Sequence, residues 1–478
     1  MKVSLNYLFI IVASFAVVPL LFMTGMFMDG VMYTAVSLNL SEGIGSFWQP
    51  IYGKDFFGLD GFYENPPLGI YSLSVFFKLF GDAFWVERLF LLVCFVLSLF
   101  GQWLNVKEII GDKAKYSYWF LLLLWFITPT VFWTFRQNMM EVQLIPILLL
   151  GNWWFIRFAR MGGNIVWAAL IFSLTIVLSF LVKGPVGIYL LSAPFVYYIV
   201  FNRDIRAIKF GFLSTILSSV LGFSLLLFPK AEHFFNQYLF VRTAERIKNN
   251  PTVDSRFWIL WELFQQLIPA FLIVLGLWAY AKHYKRSYEI KYKWSLYFAL
   301  LAILGSFPLM LSYVQRSFYL ATSFPFYALA LFFLVFGQVV DFTKWTESLF
   351  RNYIKATAVA LTILLIGFTI TFWGNPRRDE KLLADIDAYY ELLPQVDKIY
   401  VTDQLIYNWS LKAYMMRNNR VDVQSYHGFD PDISIYLLSL DYIPENQHGK
   451  FIEVKSFESF TIYRLKKPSF SVSHEPSE

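Results

Sequence analysis

Apolar runs of roughly bilayer length recur along most of the chain, FLLVCFVLSLF and FLIVLGLWAY among them, separated by short polar turns. The pattern predicts about 11 spans, near 5–27, 85–104, 117–134, 139–157, 163–180, 185–200, 209–228, 261–280, 294–313, 318–337 and 354–373. Each approaches the ~20 residues that a hydrocarbon core requires, with the fourth to sixth a little short. The opening run is too long for a signal-peptide core and has no small-residue cleavage site, so it reads as a retained span. The segment 67–80 is apolar but short and ends at Lys78 and Asp82, which suits a helix lying on or dipping into the interface. From Arg377 onward the pattern turns polar. DEKLLADIDAYYELLP and QLIYNWSLKAYMM have helical periodicity, whereas DKIYVTD, RVDVQS, GKFIEVKS and FTIYRLKK read as strands. The expected fold class is an all-α polytopic membrane protein over 1–375, with a large polar loop 28–84. A small C-terminal α/β soluble domain follows over 376–478, its last ten residues frayed.

Basic residues orient these spans. Lys107, Lys113 and Lys115, Arg157 and Arg160, and Arg203, Arg206 and Lys209 fall in three loops. Lys282, Lys285, Arg286, Lys291 and Lys293 fall in a fourth, and Lys344 and Arg351 in a fifth. All five share one side under the predicted count, as does Lys2, and the positive-inside rule makes that side cytoplasmic. The 28–84 loop, the turns near 135–138, 181–184 and 314–317, the 229–260 loop and the soluble domain then lie outside. Composition adds exclusions. Charged residues are 15% of the chain, below the quarter typical of soluble domains. The single cysteine, Cys94, allows neither an internal disulfide nor a thiolate metal cluster. The net charge of +6 is spread over the loops, unlike a nucleic-acid binder.

The outer side holds few ionisable residues near spans. Asp29 directly follows the first span, where a partly desolvated carboxylate has the chemistry of a general base toward a hydroxyl. A helix cap or a solvated loop residue is the plainer alternative. Glu64-Asn65-Pro66-Pro67 either forms a rigid shelf presenting Glu64 or simply starts the helix 68–79. Arg88, Arg136, Lys183 and Arg316 come from separate turns yet share the face that topology disfavours for cations. An anionic headgroup would retain them, and lipid snorkelling is the alternative for any one. In KGPVG, Gly184 permits close backbone approach and Pro185 fits a first helical turn. Tyr63 and, in the 229–260 loop, His233, Arg242, Glu245 and Arg246 are further candidates, against ordinary loop filling. His233 with Glu232 is too thin for a metal site.

An acidic residue after the first span (Asp29), the run Glu64-Asn65-Pro66-Pro67-Leu68, Arg88, the KGPVG turn and the segment from Arg316 to Tyr319 together resemble glycosyltransferase family 39. That group includes dolichyl-phosphate-mannose protein mannosyltransferases and bacterial 4-amino-4-deoxy-L-arabinose lipid A transferases. The resemblance covers residues 1–340. It implies a GT-C fold and an inverting transfer of sugar from a polyprenyl phosphate at the outer face of a bacterial inner membrane. Asp29 takes the place of the catalytic aspartate, and Glu64 and Asn65 that of residues near the donor sugar and phosphate. Arg88, Lys183 and Arg316 match positions tied to structure or lipid-phosphate contact. Lipid A, another glycan, a protein or a phospholipid would accept the sugar, with no cofactor required and a divalent metal left open. Two departures stand out: Gly30 replaces an acidic residue found after the aspartate in many relatives, and Asn65 replaces a basic or imidazole residue. Lys183 or a residue of the 229–260 loop would have to supply the missing cation. The rival readings are a transporter or flippase of lipid-linked sugars, and an inactive scaffold. A transporter predicts inverted repeats and mid-membrane charge, which the sequence does not display.

Overall fold

The computed structural model describes residues 5–53, 60–244, 251–284, 288–425, 436–439 and 451–465. Among these, seven helices are long and apolar enough to cross a membrane, or eight if the pair Tyr118–Phe126 and Pro129–Phe135, bent by 87°, counts as one. The expected eleven is therefore too many. The first helix, Leu5–Leu21, has 17 residues and stops short of residue 27. The windows 163–180 and 185–200 lie in one helical stretch, Ile165–Val200, with Gly184–Ser192 wound as a 3-10 helix. The windows 318–337 and 354–373 share the 48-residue helix Phe324–Thr371, kinked at Phe350. Both stretches are interrupted, by Gly184 with φ +67 and by Phe350 with φ −118 and ψ 19, and helical winding resumes at once on the far side of each break.

Contacts at the two ends of the bundle define its sides without reference to the count. Glu108 pairs with Arg157 and Arg160, Lys293 donates to Asn202 Oδ1 at 2.7 Å, and Glu289 joins Lys113 and Lys291. Lys115 and Lys344 both lie over Tyr116, and the Leu5 amide donates to Glu347. All five basic loops thus meet directly at one end, together with the start of the first helix. Lys285 and Arg286 lie outside the described residues. Between the ends, the helices are tied by a buried amide chain: Asn105 donates to the Leu149 carbonyl, Asn152 to Asn105 Oδ1, and Tyr297 to Asn152 Oδ1 at 2.6 Å. Such interhelical bonds fix register where lipid supplies no hydrophobic drive between helices.

At the opposite end the described part of 28–84 is structured rather than looped. It contains the helix Met28–Ser41, a short antiparallel pairing of Gly45–Ser46 with Gln49–Pro50, and the helix Pro67–Phe80. Pro66 caps this last helix and Pro67 opens it, as fixed-φ residues without a donor do well. The soluble domain carries a five-stranded mixed sheet in the order Asp422–Ser425, Lys398–Val401, Tyr436–Ser439, Thr461–Leu465, Phe451–Ser456. The first three strands are parallel and the last two antiparallel. Helices Glu380–Leu392 and Trp409–Asn419 supply Leu383, Ile386, Tyr389, Leu411, Tyr414 and Met415 to its core.

Met26 and Val31 of the membrane part belong to that same core. The Tyr414 hydroxyl accepts the Met26 amide at 2.8 Å and reaches the Asp379 carboxylate at 2.9 Å. Thr24 and Pro376 form a parallel bridge. The domain is therefore seated directly on the chain that enters Met28–Ser41. Tyr414→Phe strands the buried Met26 amide, at a cost of about 1–3 kcal/mol. The expected outcome is a lower unfolding temperature of the whole chain in detergent, and an unchanged one would show that the seam is not cooperative with the core.

Candidate active site

Asp29 lies in the first turn of Met28–Ser41 and is half-buried. The unsatisfied amides and dipole of a helix start favour a carboxylate there. One helical turn on, the Tyr33 hydroxyl accepts a hydrogen bond from Asn65 Nδ2 at 2.9 Å, and both residues are buried. The face of the helix that bears Asp29 and Tyr33 is thus closed on one side by the Glu64-Asn65 shelf. Glu64 itself pairs with Arg242, whose Nε donates to Oε1 at 2.7 Å. Arg242 comes from a π-helix, Asn236–Thr243, that follows the helix Pro229–Phe235. A π-helix is rare and commonly marks a functional site.

Lys183 closes another side. It ends the helix Ile165–Lys183, and its ammonium sits 3.2 Å from Glu141 Oε1 in a buried pair. Glu141 is fully buried, and Asp29 is near enough for its charge to act on the Glu141 carboxyl. The same ammonium lies 5.7 Å above the Tyr319 ring. Gly184 follows with φ +67, and a Cβ there would come within 2.2 Å of the Tyr238 hydroxyl. The KGPVG turn needs glycine for both reasons, and Tyr238 sits one turn before Arg242 on the π-helix. The Glu141–Lys183 pair thus lies within electrostatic reach of Asp29, and the Glu64–Arg242 pair adjoins the same helix through Asn65 and Tyr33.

The other candidates have different surroundings. Arg88 is buried and gives its two terminal nitrogens to the carbonyls of Gly25 and Arg136, 3.2 Å each. Arg136 turns back onto the Phe132 carbonyl at 3.1 Å and the Phe132 ring. Both guanidinium groups are engaged in holding backbone rather than facing Asp29. Arg316 is exposed, three residues before Tyr319. Tyr63 is buried and donates to Asp60 Oδ1 at 2.9 Å, while His233 Nε2 is 3.3 Å from Asp60 Oδ2. Burial, then the bond to Asp60 and its charge, push the Tyr63 phenol up, so it stays a neutral donor. His233 and Asp60 are largely exposed and form the rim. Glu245 and Arg246 lie outside the described residues, and among those described no three His, Cys, Asp or Glu side chains gather as a metal site would require.

Glu141, Tyr33 and Tyr238 escape the sequence reading. Glu141 carried a usable signal, since a carboxylate opening an apolar span on the same side as Lys183 calls for a cationic partner. The tyrosines carried none among 29 in the chain. Gly30 has a steric reason. A Cβ at this position would lie 1.8 Å from the Gln137 carbonyl oxygen, because the turn 136–138 crosses the helix there. Asn138 donates to Thr34 Oγ1 at 2.7 Å and Gln137 accepts the Phe27 amide, so the crossing is pinned. No acidic side chain fits at residue 30 while that turn holds. Gly30→Ala is expected to cost about 1–3 kcal/mol of stability through overpacking against backbone and to displace the Asp29 turn. Measured unfolding temperature and transfer should fall together, and an unaffected variant would mean that the turn yields freely.

A family model for dolichyl-phosphate-mannose-protein mannosyltransferase matches residues 64–228. No curated protein sequence matches the chain. Among solved structures, that of ArnT from Cupriavidus metallidurans bound to undecaprenyl phosphate aligns with a TM-score of 0.67 at 14% identity, covering 96% of this chain and 97% of that one. The same protein in its apo state gives 0.66, with the same identity and coverage. The shared architecture runs nearly end to end, and it is a GT-C fold with a small C-terminal sheet domain.

Proposed function

We propose that this chain is an inverting glycosyltransferase that moves a sugar from a polyprenyl phosphate to an acceptor at the outer face of a bacterial inner membrane, with Asp29 as general base. The observation that carries this is the buried Lys183–Glu141 pair within electrostatic reach of Asp29, with Arg242 joined to the same helix through Glu64, Asn65 and Tyr33, at the end of the bundle opposite the basic loops. The fold likeness supports it, since ArnT was crystallised with undecaprenyl phosphate, a lipid of the same class as dolichyl phosphate.

In this reading an acceptor hydroxyl or amine attacks the anomeric carbon from the face opposite the phosphate. Its proton passes to an Asp29 carboxylate oxygen as the new bond forms. The bond from anomeric carbon to phosphate oxygen breaks with its electron pair, and the departing lipid phosphate gains one negative charge. Lys183 and Arg242, fixed beforehand by Glu141 and Glu64, stabilise that charge in a site shielded from bulk water. Asn65 and Tyr33 orient the sugar, and Arg316 stands at the edge as a further phosphate contact. Here Arg242 and Lys183 supply the positive charge that Asn65 lacks. Arg88 acts by holding the turns at Gly25 and Arg136, not by touching the donor. Lipid A, another glycan or a protein is the acceptor class, selected with help from the soluble domain. The deciding test offers the purified protein a polyprenyl-phosphate sugar and, separately, a nucleotide sugar. Transfer from the first alone is expected, and transfer from the nucleotide sugar alone would overturn the donor class.

A further inference from the structure

A second polar cavity, of about 650 Å³, lies behind the catalytic helix, on the seam between membrane part and soluble domain. That volume falls within the ~300–1,000 Å³ of small-ligand sites. Val31 and Thr34 line it from Met28–Ser41, roughly 140–200° around the helix axis from Asp29, so it is separate from the transfer site. One wall is a stripe of the helix Glu380–Leu392, namely Glu380, Leu383, Ala384, Asp387 and Tyr390. Arg88 and Glu87 form another wall, and Arg417 with Asn419 a third.

Three buried polar atoms at this cavity have no hydrogen-bond partner: Arg88 Nε, Arg417 Nε and Asn419 Oδ1. Both arginines are more than nine-tenths buried, at 2% and 6% exposure. Arg88 has spent its terminal nitrogens on backbone carbonyls, and Arg417 Nη2 holds Glu87 Oε2 and the Asp82 carbonyl at 2.8 and 2.9 Å. The fold thus freezes two donors and an acceptor without using them, which is costly unless something else satisfies them.

We propose that this cavity is a saccharide-binding site for neutral or cationic sugars, distinct from the transfer site. Hydroxyl groups both donate and accept, so they match the idle N–H and amide oxygen together with the carboxylates of Glu380 and Asp387. Tyr390 and Phe84 offer ring faces to the apolar side of a pyranose. With Glu87 paired to Arg417 and Asp82 to Arg420, the lining carboxylates Glu380 and Asp387 stand against the single guanidinium of Arg88, which disfavours an anionic ligand.

The test uses the full chain in detergent and three probes by calorimetry: N,N′-diacetylchitobiose (neutral), chitobiose (cationic) and an unsaturated hyaluronan disaccharide (anionic). The first two are expected to bind, with the anionic one at least tenfold weaker. Ala384→Trp, which plugs the cavity from an exposed helical position, should abolish binding, and Asn419→Leu should weaken it about tenfold. Asp29→Asn should leave it unchanged, which separates this site from the proposed chemistry. Absence of binding by the neutral and cationic probes, equal or tighter binding of the anionic one, or binding that survives both cavity variants would overturn the proposal.

Discussion

Asp29→Asn is expected to lower sugar transfer by about 10²–10⁴-fold while the protein still takes up its lipid donor. The substitution keeps the shape of the side chain in the first turn of Met28–Ser41 and removes only its ability to take a proton. The loss of a dipole-favoured charge at that helix start costs about 0.3–1 kcal/mol, too little to unfold the chain. The defect should therefore sit in kcat, with donor KM nearly unchanged, since a base acts in the transition state and contributes little to ground-state binding. Equal transfer by variant and wild type would sink Asp29 as the base. Loss of donor binding would instead make Asp29 a positioning residue.

Lys183→Met should both destabilise the protein and abolish transfer, and a second substitution should pull the two effects apart. The Lys183–Glu141 pair is buried, and removing one partner strands the other charge at a cost of about 3–5 kcal/mol. The double variant Lys183→Met with Glu141→Leu removes both charges and should recover most of the unfolding temperature, since apolar replacement of a buried pair is often neutral. Transfer should stay lost, because Arg242, itself held by Glu64, and Arg316 at the edge are then the only proposed cations left to meet the departing phosphate. Recovery of transfer in the double variant would show that Lys183 serves only to neutralise Glu141.

Much of the fold was legible because its signals are local. Two prolines announced the helix Pro67–Phe80, and alternating or helical periodicity announced the elements of the soluble domain. Basic loops separated the two ends of the bundle even though the span count was wrong. Sidedness depends on where cations gather, whereas the count depends on whether the breaks at Gly184 and Phe350 separate two spans or kink one helical stretch, which hydropathy does not report. The candidate cluster around Asp29 was only half legible. Asp29, Glu64, Asn65 and Lys183 stand out as polar residues at apolar boundaries. Arg242 was one of several charged residues in an ambiguous loop until the π-helix brought it to Glu64. Arg88 looked like a phosphate ligand because sequence reports charge and not direction, and its side chain points to two carbonyls. Glu141 depended on a contact from a separate helix.

The Tyr414 contact has a consequence for taking the protein apart. Its hydroxyl grips the backbone of Met26, three residues ahead of Asp29, and the Thr24–Pro376 bridge clamps the same strand of chain from the other side. The soluble domain is thereby a jig for the carboxylate proposed to react. A misplacement of about 1 Å can cost two orders of magnitude in rate. On the proposed chemistry, grafting a foreign domain after residue 376 would thus reset the alignment of Asp29, and a chimaera that folds and inserts normally can still be idle.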